Sequence, residues 1–170
     1  MKLLCPAYRS DNPDPRRMEA IRALHEQVRL QHRMRMKANG CRLLDSEVPI
    51  ENGCLRGKAD DVFQNEDGEV VAVEYVSSFV PSMYKYYDAA ISACCLRDDY
   101  DIDVSAWVVS RGGQESEVPE TLIQTVRSMI MSEDFQKILN LGDDDLLEYA
   151  NPASGICTYC ANNECRRKPQ

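Results

Sequence analysis

The residues best suited to do chemistry sit in the stretch "LRGKADDVFQNEDGEVVAVEYVSS", where Asp60 and Glu74 fall on two strand-like runs joined by the turn material "NEDG". Side chains alternate along a strand, so Lys58 and Asp60 share one face while Asp61 points the other way or begins the turn. By the same rule Val71, Val73 and Tyr75 share one face of the next run, and Ala72, Glu74 and Val76 the other. Paired across a hairpin, Asp60 and Glu74 can converge on one ion, and two carboxylates with water and a backbone carbonyl suit Mg2+ or Mn2+. Such an ion polarises a phosphodiester and lowers the pKa of its bound water, which is the chemistry of phosphodiester hydrolysis. Carboxylates alone are a weak signal, because acid pairs on hairpins are frequent.

A second chemical cluster closes the chain. Cys157, Cys160 and Cys165 form C-x2-C-x4-C within "GICTYCANNECRRK", with little apolar material around them to make a core. Thiolates so close together are placed to hold a metal or a cluster. The chain has eight cysteines, and in a reducing compartment their spacing reads as ligation rather than as a disulfide framework. Cys41, Cys54, Cys94 and Cys95 fall in expected strands or helix and read as core residues.

The elements that must position these groups follow from periodicity. A long helix is expected over residues 14–39, with Pro15 in its first turn, Met18, Ile21, Leu24 and Val28 at helical spacing, and Gly40 as its stop. His25 and His32 lie i, i+7 on one face of it. Three strand-like runs follow, over 42–50, 55–64 and 69–77, separated by "ENG" and "NEDG", the pattern of a meander. A helix is expected over 82–97, a buried strand over 104–110 and an amphipathic helix over 120–139. The order is that of an α/β fold whose last strand joins the meander after a helical crossover.

Bulk properties narrow the class. With 170 residues of which 44% are hydrophobic, the chain reads as one domain with one real core. No apolar run approaches the roughly 18 residues that cross a bilayer, and the opening "MKLLCPAYRSDNPDP" turns polar too early for a signal peptide, so a cytoplasmic protein is expected. Net charge is -8, but residues 16–42 carry eight basic side chains against Glu19 and Glu26. That local excess is either a solvated helix face or a grip on a phosphate backbone. On the second reading, which the family resemblance described next implies, Arg22, Arg29 and Arg33 face DNA, with Tyr84, Tyr86 or Tyr87 stacking on bases. His32 reads as a surface or DNA-facing residue.

Taken in order, these features carry a resemblance. Asp60 and Glu74, with thirteen residues between them, lie on the second and third strands of an α-β-β-β-α-β order, which resembles the PD-(D/E)XK, or restriction-endonuclease-like, nuclease core. Adding "LLCPAYR" at the start, the histidine of "IRALHEQV", the sequence "GKAD", the strand "VAVEYV" and the terminal cysteines, the chain resembles the CRISPR-associated RecB-like exonucleases, the Cas-four family. It is also similar to the iron-sulfur nuclease domains of AddB-type helicase-nucleases. The resemblance runs from Cys5 to Cys165. It implies a single RecB-like nuclease domain over 1–170, with a core at 41–140 and a cluster-binding tail at 151–170. It further implies a 4Fe-4S cluster on Cys5, Cys157, Cys160 and Cys165, for which zinc is the alternative. Mn2+ or Mg2+ would be held by His25, Asp60, Glu74 and the carbonyl of Tyr75. The implied activity is trimming of single-stranded DNA ends during spacer acquisition, beside CRISPR integrase proteins. Val76 departs from the pattern: it stands where the family keeps a lysine. The helix after it, with "YKYYDAAISA", also lacks the family's glutamine-then-tyrosine pattern. Lys85 on that helix, or Lys58 on the strand of Asp60, could replace the missing cation. If neither does, the chain is a nuclease fold that binds DNA or a protein without cutting, as a viral or mobile-element adaptor would.

Overall fold

The computed structural model describes residues 15–52 and 55–139. Cys54 and the four cysteines expected to hold a cluster, Cys5, Cys157, Cys160 and Cys165, lie outside the described residues. The chain divides into two compact units, Glu19–Met131 and a second formed by Met1–Met18 with Ser132–Gln170. Every candidate site residue among the described residues belongs to the first.

Helix α1 (Pro15–Ala38) ends where the sequence predicts it. Gly40, at φ 79°, takes the left-handed position past the last turn. There the N–H of Cys41 donates to the Met36 carbonyl at 2.9 Å and that of Gly40 to Lys37 at 3.2 Å, the paired closure that glycine permits. Strands β1 (Arg42–Asn52), β2 (Leu55–Gln64) and β3 (Val70–Tyr75) form the expected antiparallel meander. Gly68, at φ 87°, makes the tight turn between β2 and β3. Helix α2 (Met83–Tyr100) then crosses to β4 (Val104–Val109), which runs parallel to β3. The result is a mixed five-stranded sheet, completed by β5 (Glu115–Glu117) antiparallel to β4.

Two expectations fail at the C-terminal side. Strand β5 has no counterpart in the expected order, because three residues reading Glu-Ser-Glu carry no strand pattern; its pairing with Trp107 to Val109 makes it a strand. The single helix expected over 120–139 is two, α3 (Glu120–Ile130) and α4 (Glu133–Leu139). Ser132 explains the break: its hydroxyl accepts the Phe135 N–H at 3.2 Å and so starts a new helix as a cap.

Both faces of β3 are buried. Val71, Val73 and Tyr75 pack with Phe63 and with Val28 and Met36 of α1, so the alternation read from sequence holds. The opposite face meets α2, whose Ala89, Ala90 and Ala93 are fully buried and let the helix approach the sheet closely. In α3 the buried residues Ile123, Val126 and Ile130 recur at helical spacing, as an amphipathic helix requires. Among the described residues no helix is long and apolar enough to cross a membrane.

Candidate functional site

The β2–β3 ladder ends at the pair Asp61↔Val73, although β2 continues to Leu55 against β1. Asp60 is therefore the first residue past the ladder, in the register position opposite Glu74. Where β2 leaves β3, the side chain of Asp60 takes over the role of a strand partner: its Oδ2 accepts the Tyr75 N–H at 2.9 Å. The same oxygen lies 3.2 Å from His25 Nε2, and the His25 ring stands edge-on to Tyr75 with centroids 6.0 Å apart. The hydrogen bond to Asp60 outweighs partial burial and raises the pKa of His25.

Glu74 points toward α2 and is almost wholly buried. Ser92 Oγ donates to its Oε1 at 3.4 Å, and Lys85 Nζ stands 3.8 Å from its Oε2 and 3.4 Å from Asp88 Oδ2. Burial first, and then the charge of Asp60, push the Glu74 carboxyl up to about 8, against the opposing pull of Lys85. Burial draws the Lys85 ammonium down, but Glu74 and Asp88 together carry it above its ordinary value. Lys85 therefore keeps its proton at neutral pH and acts as a fixed positive charge beside Glu74.

Lys58 and Lys85, the two cations expected to replace the lysine that the resemblance leads one to look for, have different surroundings. Lys58 Nζ is 3.7 Å from Glu47 Oε2 and largely exposed, whereas Lys85 is at the acid. Val76 is 5% exposed and continues the sheet through its N–H to the Val109 carbonyl at 2.9 Å.

The basic stripe of α1 is only partly a surface. Arg22 is exposed, but Arg29 is 8% exposed, and its guanidinium is directed inward. Its Nε and Nη2 donate to Asp61 Oδ1 at 3.1 and 3.0 Å, and Nη2 also donates to the Asp60 carbonyl at 2.9 Å. Arg33 Nε donates to Asp61 Oδ2 at 2.7 Å. His32, expected at the surface, is fully buried. Its Nδ1 lies 2.9 Å from the Tyr75 hydroxyl, which itself donates to Asp61 Oδ2 at 2.9 Å. With the hydroxyl proton directed to Asp61, the network assigns the imidazole proton to Nδ1, and burial lowers the pKa of His32.

Asp61, 0% exposed, is thus a buried carboxylate enclosed by two guanidiniums and a phenol. Burial alone would raise its pKa, but hydrogen bonds from Arg33, Arg29 and Tyr75 hold it below the usual value. Strand alternation sets Asp61 on the face opposite Asp60 or at the start of the turn, and by itself names none of its partners. The usable signal was an acid on the same strand face as apolar core residues, which must find partners, together with arginines spaced i, i+4 on the adjoining helix.

Tyr86 is half-buried and lines a groove of about 490 Å³ with Met83, Ser116, Pro119 and Leu122. The exposed aromatic residues of the segment from Phe79 to Tyr87 are instead Phe79, Tyr84 and Tyr87, and Arg111 lies over the Phe79 ring at 4.9 Å.

The donor set of His25, Asp60 and Glu74 fits a divalent ion chemically, with one imidazole nitrogen and two carboxylates. Its arrangement is two pairs, His25 with Asp60 and Glu74 with Lys85. Among the described residues no three histidine, cysteine or carboxylate side chains form a group that could hold a metal ion. Compared with known proteins, the chain matches no protein-family model and no curated protein.

Proposed function

We propose that the chain is a divalent-metal-dependent deoxyribonuclease with a PD-(D/E)XK core, acting on single-stranded DNA ends, in which Lys85 replaces the motif lysine. The observation that carries this reading is the ammonium of Lys85, 3.8 Å from Glu74, where Val76 supplies no charge. Support also comes from the order of helix, three antiparallel strands, crossover helix and parallel strand, with Asp60 in the register position opposite Glu74 where the ladder opens.

His25, Asp60, Glu74 and the Tyr75 carbonyl would hold Mn2+ or Mg2+, which when bound supplies a polarised phosphodiester and a water of lowered pKa. The chain's own part is electrostatic. Lys85 holds a permanent positive charge for the phosphate, and Asp88 and Ser92 keep that lysine and Glu74 in place. Phe79, Tyr84 and Tyr87 offer ring faces for unpaired bases, a mode of grip that suits single strands of any sequence. In the same reading Cys5, Cys157, Cys160 and Cys165 hold a 4Fe-4S cluster, and the protein works on DNA ends in CRISPR spacer acquisition with integrase proteins. A brown protein on anaerobic purification supports the cluster; a colourless one containing zinc removes it.

The test is degradation of end-labelled single-stranded DNA in Mn2+. Asp60→Ala and Glu74→Ala are expected to abolish it, and Lys85→Ala to slow it by about 10²- to 10⁴-fold, the loss expected for a group that steadies developing charge. Cleavage unchanged by all three substitutions would sink the site assignment. Val76 favours a second reading, a nuclease fold that binds DNA or a protein partner without cutting it; salt-sensitive binding of single-stranded DNA with no cleavage in either metal would establish it.

A further inference from the structure

Asp60 and Asp61 are neighbours with opposite fates: one carboxylate meets His25 and the Tyr75 amide, the other is sealed in the protein. Asp61 receives Arg29, Arg33 and Tyr75, and Arg29 does more than neutralise it. Its Nη2 bridges the Asp61 carboxylate, at 3.0 Å, and the main-chain carbonyl of Asp60, at 2.9 Å. Its Nη1 donates to Glu47 Oε1 at 2.9 Å on the neighbouring strand. Glu47 stands across from Asp60, between the pairs Ser46↔Asp61 and Val48↔Ala59. It sits at φ 52°, a left-handed conformation that a non-glycine residue keeps only when its surroundings hold it there. One guanidinium thus ties α1, the strained residue of β1 and the backbone of Asp60 together. The same helix carries His25 one turn earlier, so this tie also sets the helix that brings His25 Nε2 to 3.2 Å from Asp60.

We propose that Arg29, anchored by Asp61, is the positioning residue of the site. It fixes the Asp60 backbone so that the Asp60 carboxylate meets His25 and the Tyr75 amide where β2 parts from β3. An ordinary buried ion pair would stabilise the fold evenly; this one is bonded to the residue whose orientation matters. Its role as a support for metal binding rests on the reading of Asp60 as a ligand, but the orientation of Asp60 can be measured with no metal present. The Tyr75 amide reports it directly, since its partner is Asp60 Oδ2.

Native-state hydrogen exchange on the full chain tests this, comparing wild type, Arg29→Lys and Val126→Ala. The last weakens the core at a buried position of α3, away from Asp60. Lysine keeps the charge beside Asp61 but cannot span both Asp61 and the Asp60 carbonyl. In Arg29→Lys the Tyr75 amide is expected to exchange about tenfold faster than any change at the β3 amides of Val71 and Val73 accounts for, whereas in Val126→Ala all three shift together. Glu47→Ala, which releases Arg29 from its half-exposed side, is expected to act in the same direction to a lesser degree and covers a failure of Arg29→Lys to fold. Mn2+ affinity, measured by calorimetric titration of the same proteins, is expected to weaken by about 10- to 100-fold in Arg29→Lys, as for other residues that orient a ligand from behind. Equal shifts at Tyr75, Val71 and Val73 in Arg29→Lys overturn the proposal, as does an unchanged Mn2+ affinity. If wild type binds no Mn2+, the nuclease reading falls, and the exchange pattern alone judges the positioning role.

Discussion

Glu74 has neighbours of both signs, and their balance is measurable. Its folded carboxyl titrates near about 8 against an ordinary 4.5, chiefly through burial and then through Asp60. The folded state therefore binds this proton more tightly than the unfolded chain does. The stabilisation is complete below pH 4.5 and is lost as pH rises to about 8. Chemical denaturation of the metal-free protein is expected to show stability falling by roughly a few kcal/mol across that window, and Glu74→Gln is expected to flatten the fall. An identical pH dependence in the two proteins would show that Glu74 ionises normally. At this scale much was legible: the alternation of "VAVEYV" put Glu74 and Val76 on one face and Tyr75 on the other. The sequence did not show which lysine reaches Glu74, because a lysine's reach spans neighbouring elements and only the packing of α2 on β3 selects between Lys85 and Lys58.

Helix α1 shows how an element can be read correctly in extent and wrongly in orientation. Its end at Gly40 and its burial of Val28 were evident from periodicity, but its inward face also carries Arg29, His32 and Arg33, which composition alone assigns to solvent or DNA. The strand supplies the reason: Asp61 lies among core residues, and a buried carboxylate demands charged partners. Removing it is expected to be severe. Asp61→Ala leaves two guanidiniums facing an apolar space and should lower stability by about 3–5 kcal/mol in urea unfolding. Lys58→Ala removes only an exposed ion pair with Glu47 and should stay within about 0.5 kcal/mol of wild type. Equal, small effects from both substitutions would mean that the Asp61 network does not hold α1 to the sheet.

For the whole molecule, charge is the governing quantity. The chain carries -8, its candidate site gathers acids, and two arginines of its basic segment are engaged with Asp61. On the proposed nuclease reading, a single DNA strand is therefore expected to be held through a divalent ion more than by a broad basic surface. Fluorescence anisotropy with a labelled single strand should show binding in Mn2+ that EDTA abolishes. The slope of log affinity against log salt should stay near that of about two phosphate contacts, at about 0.7 per contact for single strands. Tight binding in EDTA with a steep salt slope would instead place the DNA on the exposed basic residues of α1.

Local pattern in the chain was enough for the strand meander, the crossover helix, the stop at Gly40 and the register that sets Asp60 opposite Glu74, because alternation, helical spacing and turn chemistry are properties of neighbouring residues. The fate of Arg29, His32 and Asp61, the selection of Lys85, the short strand β5 and the break before α4 arose from contacts between segments distant in the chain or from a single cap. Those depend on which side chains burial forces together, and a one-dimensional pattern does not carry that information.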